Sequence, residues 1–412
     1  MHRMMFYRIT ILFLAILVGL IQFYFFKKAR RKLITLDINN KFKQIMLMSV
    51  VLFLTYVNSP YFYFLIFGRP HGSVHPVLLY AILYPFGIWT TASFALFAML
   101  VIKDSFNFIK NKMLNISLPW KTHSHSPKQL QSKGISRRRF LKLSSSATSL
   151  GFLASPVIAT TYGAIFEKRF LEVEKLDMSF PNLPESLKGL KIVQVSDIHS
   201  SVYTTQEEIE KVVEQVNRLE PDILAVTGDF VSSSKVFIKP CVEAFSKARA
   251  KYGVFGCLGN HDYYVGAQEV IKEFRDIGFE MLVNSGVTLL VRGVPLNILG
   301  VDDLWQGRPN LVKTLGQVDS NNFNLLLCHQ PNYFPTIQFH KIELTLAGHT
   351  HGGQIALNFF GSILSFSSFA TPYLRGLFEE NHSKLYVNRG IGITGPPIRF
   401  NSPPEITVIT LN

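Results

Sequence analysis

Cysteine is scarce. Three residues in 412, Cys241, Cys257 and Cys328, carry thiols, and none sits in a CxxC pair. So few thiols argue against a disulfide-stapled scaffold and against a thiolate metal site. Acids are nearly missing from the first 142 positions, where Asp37 and Asp104 face 20 Lys/Arg. Residues 143–412 hold 22 Lys/Arg and 26 Asp/Glu, so the formal charge of +14 belongs to the N-terminal part alone. That excess lies beside apolar runs and no stripe of aromatic and basic residues accompanies it, so nucleic acid is not an expected partner.

Charge is absent altogether from residues 9–26, 45–67 and 77–102. Each run is about long enough to cross a bilayer as a helix. Asn58-Ser59-Pro60 inside the second predicts a kink. Loop charges orient the three spans. Residues 27–43 carry seven Lys/Arg and belong in the cytoplasm; 68–76 carry one and belong outside; 103–142 carry ten and belong inside again. The N-terminus is therefore expected outside. His123 and His125, in KTHSHS, read as part of the solvated basic loop.

SRRRFLK (136–142) precedes the moderately apolar stretch 143–166. Ser136, Arg137, Arg138, Phe140, Leu141 and Lys142 resemble a twin-arginine export signal, which would make the twin-arginine translocase a partner. Its place after three spans is unusual for such a signal, and a basic flank before a fourth membrane helix is the alternative. Val157-Ile158-Ala159 offers a weak cleavage site. Either way, residues beyond 167 are expected outside the cytoplasm. The domain expectation is 1–135 for the membrane region, 136–170 for the twin-arginine-like motif and fourth apolar segment, and 171–412 for a catalytic domain.

From Leu190 the texture changes. KIVQVSD and PDILAVTGD read as buried strands, and YGVFGCLGNHD as a strand ending in a loop. QEEIEKVVEQVNRL, CVEAFSKAR and AQEVIKEFRDIG read as helices. Past Gly286 the pattern becomes mostly strand: VTLLVRG, PLNILGV, NFNLLLCH, IELTLAGH, KLYVNRG and EITVITL. A second sheet packed on an α/β core is the economical solution.

Several strands end in residues able to bind a metal: Asp197 and His199, Asp229, Asn260 and His261, His329, then His349 and His351 in GHTHGGQI. Each alone has an ordinary structural reading, such as a helix cap, a satisfied core histidine, or Asp262 holding the GNHD turn. Their arrangement along one α/β pattern points to a site beyond the strand ends. Carboxylate, imidazole and amide oxygen without thiolate suit Mn, Fe or Zn. So many candidate ligands exceed the needs of one ion. Two ions about 3.5–4 Å apart, sharing a carboxylate, account for the number.

D-x-H, G-D, G-N-H-D, a lone H and G-H-x-H, in this order, resemble the calcineurin-like metallophosphoesterase superfamily over about residues 175–412. GHTHGGQI and the tail YVNRGIGITGPPIRFNSPPEITVITL resemble its bacterial membrane-anchored or twin-arginine-exported phosphodiesterases. The resemblance implies a metallophosphoesterase-type two-sheet sandwich flanked by helices (α/β/β/α), preceded by an α-helical membrane region. It implies one ion on Asp197, His199 and His351, and a second on Asn260, His329 and His349, with Asp229 bridging. His261 would meet the phosphate and the leaving group, with Asp262 orienting that imidazole. The implied reaction is attack on phosphorus by a hydroxide between the metals. The expected protein is an integral one of the bacterial cytoplasmic membrane with its catalytic domain extracytoplasmic, acting on phosphomonoesters or phosphodiesters, lipid-linked substrates included. The alternatives are a pyrophosphatase resembling UDP-2,3-diacylglucosamine hydrolases, which the inferred topology disfavours, and a membrane sensor that binds phosphate without turnover. VDDLWQGRPN (301–310) and NSPPE (401–405) are pocket candidates by family position, with Trp305 expected as a packed loop aromatic.

Overall fold

A computed structural model describes residues 2–68, 74–114, 137–359 and 362–412. Ser136 and the loop with His123 and His125 lie outside the described residues. The described residues fall into two compact units, one within Met1–Arg69 and Ala81–Thr161, the other within Pro70–Tyr80 and Tyr162–Asn412.

Long helices belong wholly or largely to the first unit. Tyr7–Ile34, Asn40–Phe67 and Pro76–Lys112 are long and apolar enough to cross a membrane. The second runs as one helix with Pro60 inside it, and Ser59 Oγ donates to Tyr56 O (2.8 Å), the carbonyl that the proline leaves without its helical partner. Polar pairs tie the helices together, as expected where lipid gives no hydrophobic drive for association. Gln22 and Asn58 exchange amide hydrogen bonds of 3.3 and 2.5 Å. Lys28 and Tyr24 both meet the Asp104 carboxylate at 2.6 Å. A further helix, Arg137–Ile165, contains the proposed cleavage triplet and runs on into the second unit.

The second unit is a sandwich of two six-stranded sheets. Its strands are β1 (Glu172–Met178), β2 (Lys191–Val195), β3 (Ile223–Thr227), β4 (Val254–Cys257), β5 (Glu280–Met281), β6 (Ser285–Val291), β7 (Val294–Gly300), β8 (Phe323–Leu327), β9 (Leu344–Ala347), β10 (Leu357–Phe359), β11 (Ser362–Leu364), β12 (Gly376–Glu380), β13 (Ser383–Val387) and β14 (Glu405–Leu411). The first sheet has the order β1-β14-β2-β3-β4-β5, the second β12-β13-β9-β8-β7-β6, and β10 pairs with β11 as a separate ribbon. Apolar side chains on both faces explain why the central strands read as continuous runs. Ile192, Ala225, Phe255 and Ile409 meet Ile298, Leu325, Leu344 and Tyr386 between the sheets. The first sheet's outer face packs Val193 and Leu224 on Ile209, Val213 and Val216 of helix Gln206–Arg218 and on Phe245 and Phe274. A Thr205–Glu208 capping box starts that helix. Leu299, Leu326 and Leu385 cover the second sheet's other face with Leu311, Phe334 and Ile337.

Two expectations change. EITVITL, grouped with the second sheet from its place in the sequence, is β14 and joins the first, antiparallel to β2 and parallel to β1. The helix expected over CVEAFSKAR sits earlier, at Ile238–Phe245. All three cysteines are buried and free.

Strands β2, β3 and β4 run parallel in one sheet, and β7, β8 and β9 run parallel in the other. Within each sheet the chain therefore leaves these strands at one edge. Gln194 of β2 crosses between the sheets, donating to Thr227 Oγ1 (3.0 Å) and to Ala347 O (2.8 Å), the last residue of β9. That contact fixes the two strand-end clusters against each other.

Candidate metal centre

The sequence-expected residues come together at these strand ends. Asp197, His199 and His351 form one group, Asp229, His329 and His349 a second, and His199, Asp229 and His261 a third; within each, the ligand atoms lie within 4.8 Å of one another. Asp229 belongs to two of the three groups. His199 Nε2 lies 3.0 Å from His351 Nε2, with their rings stacked at 25°. His329 Nε2 lies 3.3 Å from Asp229 Oδ2 and 3.3 Å from His349 Nδ1.

Local backbone geometry aims these side chains. Asp197, His199, Asp229, His349 and His351 all have φ between 47° and 70°. Left-handed conformations cost non-glycine residues energy and collect at functional sites. Gly348, between β9 and His349, is the residue the packing demands: a Cβ there would stand 1.9 Å from Ser196 Oγ and 2.3 Å from Asp197 Oδ2. His329 Nδ1–H donates to Thr227 O (2.7 Å), which leaves Nε2 facing the site. His261 Nδ1–H donates in the same way to Ser232 O (2.5 Å), which turns its Nε2 to the other side.

Donor chemistry fits divalent cations. Asn260 Oδ1 and His199 Nδ1 are buried and, among the described residues, have no hydrogen-bond partner. A buried amide oxygen without a donor is costly, and a cation satisfies it. Burial holds His199 and His351 well below the ordinary imidazole range, and it lowers His349 to about 3 with help from His329. Neutral imidazoles are the form that ligates. Burial raises Asp197 to about 6. His329 goes the other way. Burial would lower it, but the Asp229 carboxylate beside it raises it to about 10. A cation sharing Asp229 would take the place of that proton.

Asp262 departs from the role implied by resemblance. Its carboxylate accepts the backbone N–H groups of Asp229 (2.9 Å), Val231 (3.2 Å) and Gly259 (3.0 Å), and the His261 ring is held by Ser232 instead. Asp262 pins the loops after β3 and β4 together. Burial, then the Asp229 charge, raises its pKa to about 8. Trp305 is also corrected: the ring is 53% exposed, with its centroid 4.3 Å from that of His349 and edge-on to it. Buried Asp303 holds its loop by accepting from Trp305 N (2.9 Å), Gln306 N (2.6 Å) and the Gln330 amide. Within NSPPE, Ser402 is buried and its Oγ donates to His351 O (2.7 Å).

Other supporting residues escape sequence reasoning. Ser196 Oγ donates to Asp197 Oδ2 (2.7 Å). Arg399, fully buried, donates to the carbonyls of Arg389, Gly390, Gly392 and Ser402, with Nη2 3.4 Å from His351 Nδ1. The glycine spacing of RGIGITG (389–395) was the available signal, because both Gly390 and Gly392 press against the Asp197–His199 loop.

Residues 190–353 match the family model "Calcineurin-like phosphoesterase". An uncharacterized metallophosphoesterase, YkuE of Bacillus subtilis, is 34% identical over 283 residues, covering 68% of this chain and 98% of that protein. This chain is a calcineurin-like phosphoesterase. The phosphoesterase is also similar to the UDP-2,3-diacylglucosamine pyrophosphatase LpxG of Chlamydia trachomatis, at 29% identity over 66% of this chain and 98% of that one. A transmembrane protein with metallophosphoesterase domain from Danio rerio is 31% identical over 64% of this chain and 62% of its own length. Family and site chemistry together make the phosphoesterase a metal-dependent phosphoester hydrolase, and its three long apolar helices mark a membrane protein.

Proposed function

We propose that this phosphoesterase is a membrane-tethered, dinuclear phosphodiesterase or phosphomonoesterase. One divalent ion would be held by Asp197, His199 and His351, the other by Asn260, His329 and His349, with Asp229 shared. The observation that carries this reading is the position of Asp229 Oδ2 between His199 Nε2 (3.4 Å) and His329 Nε2 (3.3 Å), one imidazole from each set. Mn, Fe or Zn suits such oxygen and nitrogen donors. Ions bound there would supply Lewis acidity and a nucleophilic water at neutral pH.

The protein's own part is orientation and proton handling. Asp262 and Ser196 hold the carboxylate loops, and Arg399 backs His351. His261 keeps its proton on Nδ1 toward Ser232, so Nε2, once protonated, can donate to the departing oxygen. The proposed domains are a membrane region with basic cytoplasmic loops (1–135), the twin-arginine-like motif with a fourth apolar segment (136–170), and the catalytic domain (171–412). The asymmetric loop charges support a position of that domain outside the cytoplasm of a bacterial cell.

The similarity to LpxG favours a second reading, a pyrophosphatase acting on a UDP-linked acylated sugar. A panel of chromogenic monoester, chromogenic diester, alkyl diester and UDP-diacylglucosamine, assayed with the full chain in detergent, separates the two. Turnover of the esters above that of the UDP sugar is expected; the reverse order would overturn the first reading in favour of the second. In the same panel His261→Ala should lower turnover of the alkyl diester by about 10²-fold or more, the scale of general acid catalysis. The chromogenic diester, whose stabilised phenolate leaving group needs no proton, should lose far less. Equal losses would remove His261 from leaving-group protonation.

A further inference from the structure

We propose that strands β10 and β11 and the loop 365–370 after them form a lip that enters the bilayer surface beside the metal centre, so that the site faces lipid-borne phosphoesters. This rests on the membrane residence proposed above. Residues 355–370 contain no Asp, Glu, Lys or Arg. Within them Leu357 is 53% exposed, Leu364 47%, Phe366 92% and Phe369 81%. Two phenyl rings standing almost fully in water on one short loop are unfavourable for an aqueous surface.

The lip is joined to the site. Ser367 Oγ donates to the carbonyl of Thr350 (3.3 Å), the residue between His349 and His351. Ser365 packs on Gly353, where a Cβ would come within 2.6 Å of it. The lip is also joined to the place where the chain arrives from the membrane-length helices. Ala356 N donates to Phe400 O (2.9 Å) and Phe400 N to Gln354 O (2.8 Å). The neighbouring residues of that strip receive the last turn of helix Arg137–Ile165: Arg399 N donates to Gly163 O (3.2 Å), and Ser402 N to the Glu167 carboxylate (2.7 Å). Ile165, Phe166 and Phe170, on the arriving segment, are themselves exposed.

One strip of backbone, 398–402, therefore holds the tether on one side and the base of the lip on the other. A bilayer is the surface to which this tether leads, and an uncharged, aromatic-tipped loop is the chemistry that its interface accepts. The metal ligand His351 lies directly behind the same strip, with its carbonyl bonded to Ser402.

The test uses the full chain in lipid nanodiscs, with Phe366→Cys or, as a control, exposed Val312→Cys carrying a fluorophore. The native thiols are all buried, so the new cysteine takes the label. The label at 366 should be quenched by doxyl-labelled lipid several-fold more than that at 312, and shielded from iodide. Equal iodide quenching at both positions would overturn the lip. Shielding from iodide without quenching by lipid would replace the bilayer with a protein contact and equally overturn the proposal. Failure of the chain to enter nanodiscs would overturn the membrane reading beneath it. A second arm combines Phe366→Ser with Phe369→Ser. Turnover of a soluble chromogenic diester should be unchanged, whereas that of a phosphodiester lipid in vesicles should fall several-fold. Equal rates on the vesicle substrate would contradict the inference.

Discussion

Asp229→Asn should lower phosphoesterase turnover by more than about 100-fold, the upper range for losing merely an outer partner of a metal site, while leaving the fold intact. Asparagine has the same shape and keeps the oxygen that accepts the His261 backbone N–H (2.8 Å). What changes is the other atom. Asp229 Oδ2 sits between His199 Nε2 and His329 Nε2, and an amide NH₂ in that place would point donors where ligand lone pairs are needed. Charge is lost as well. Burial would raise the Asp229 pKa, yet the imidazoles of His329, His261 and His199 hold it well below the ordinary carboxylate range. That carboxylate is accordingly the anion around which the site is organised. Paired kinetics and near-ultraviolet circular dichroism check the result; a loss of tenfold or less in a folded variant would take Asp229 out of the centre.

Gly392→Ala should damage both stability and activity although residue 392 carries no functional group. A Cβ there would lie 2.1 Å from Ile198 O and 2.7 Å from His199 Cβ. Gly392 N also donates to Asp197 O (2.7 Å), so the segment cannot swing away without breaking that bond. Overpacking of this kind costs about 1–3 kcal/mol, and occasionally more. The shift is transmitted to Asp197 and His199, and a misplacement of about 1 Å can cost 10²-fold in rate. Gly395→Ala is the control: its Cβ meets nothing within 4 Å, and its cost comes only from a φ of +70°. It should lower the melting temperature slightly and leave turnover unchanged. Equal rates for the two variants would show that the 390–392 strip does not position the ligands.

The site was legible because apolar parallel strands end in it. Asp197, Asp229, Asn260, His329 and His349 each follow a fully or nearly fully buried run, β2, β3, β4, β8 and β9. Sequence pattern finds such strands, and a polar residue after each stands out. Edge strands do not announce themselves in this way. β1 carries Glu172, Glu174, Lys175 and Asp177, the charges that keep an exposed edge from pairing with another molecule, so its sequence has no apolar alternation to detect. β14 was visible as a strand, but its sheet was not, since alternation says nothing of partners. Asp262 and Trp305 each allowed two readings for a related reason. A carboxylate can orient a ring or hold backbone amides, and an indole can pack or stand beside a ligand. Only the positions of Ser232, Val231 and His349 in the fold decide between those uses. Arg399, with no motif of its own, became visible only once four carbonyls were seen to converge on it.

The most direct measurement is metal titration of the stripped, full-length phosphoesterase, following bound ion by mass spectrometry of inorganic content and turnover in the same samples. The expected result is two divalent ions per chain, with turnover appearing as the second binds, and at most one ion in Asp229→Asn. A single ion giving full turnover, or turnover without metal, would contradict the shared-carboxylate centre.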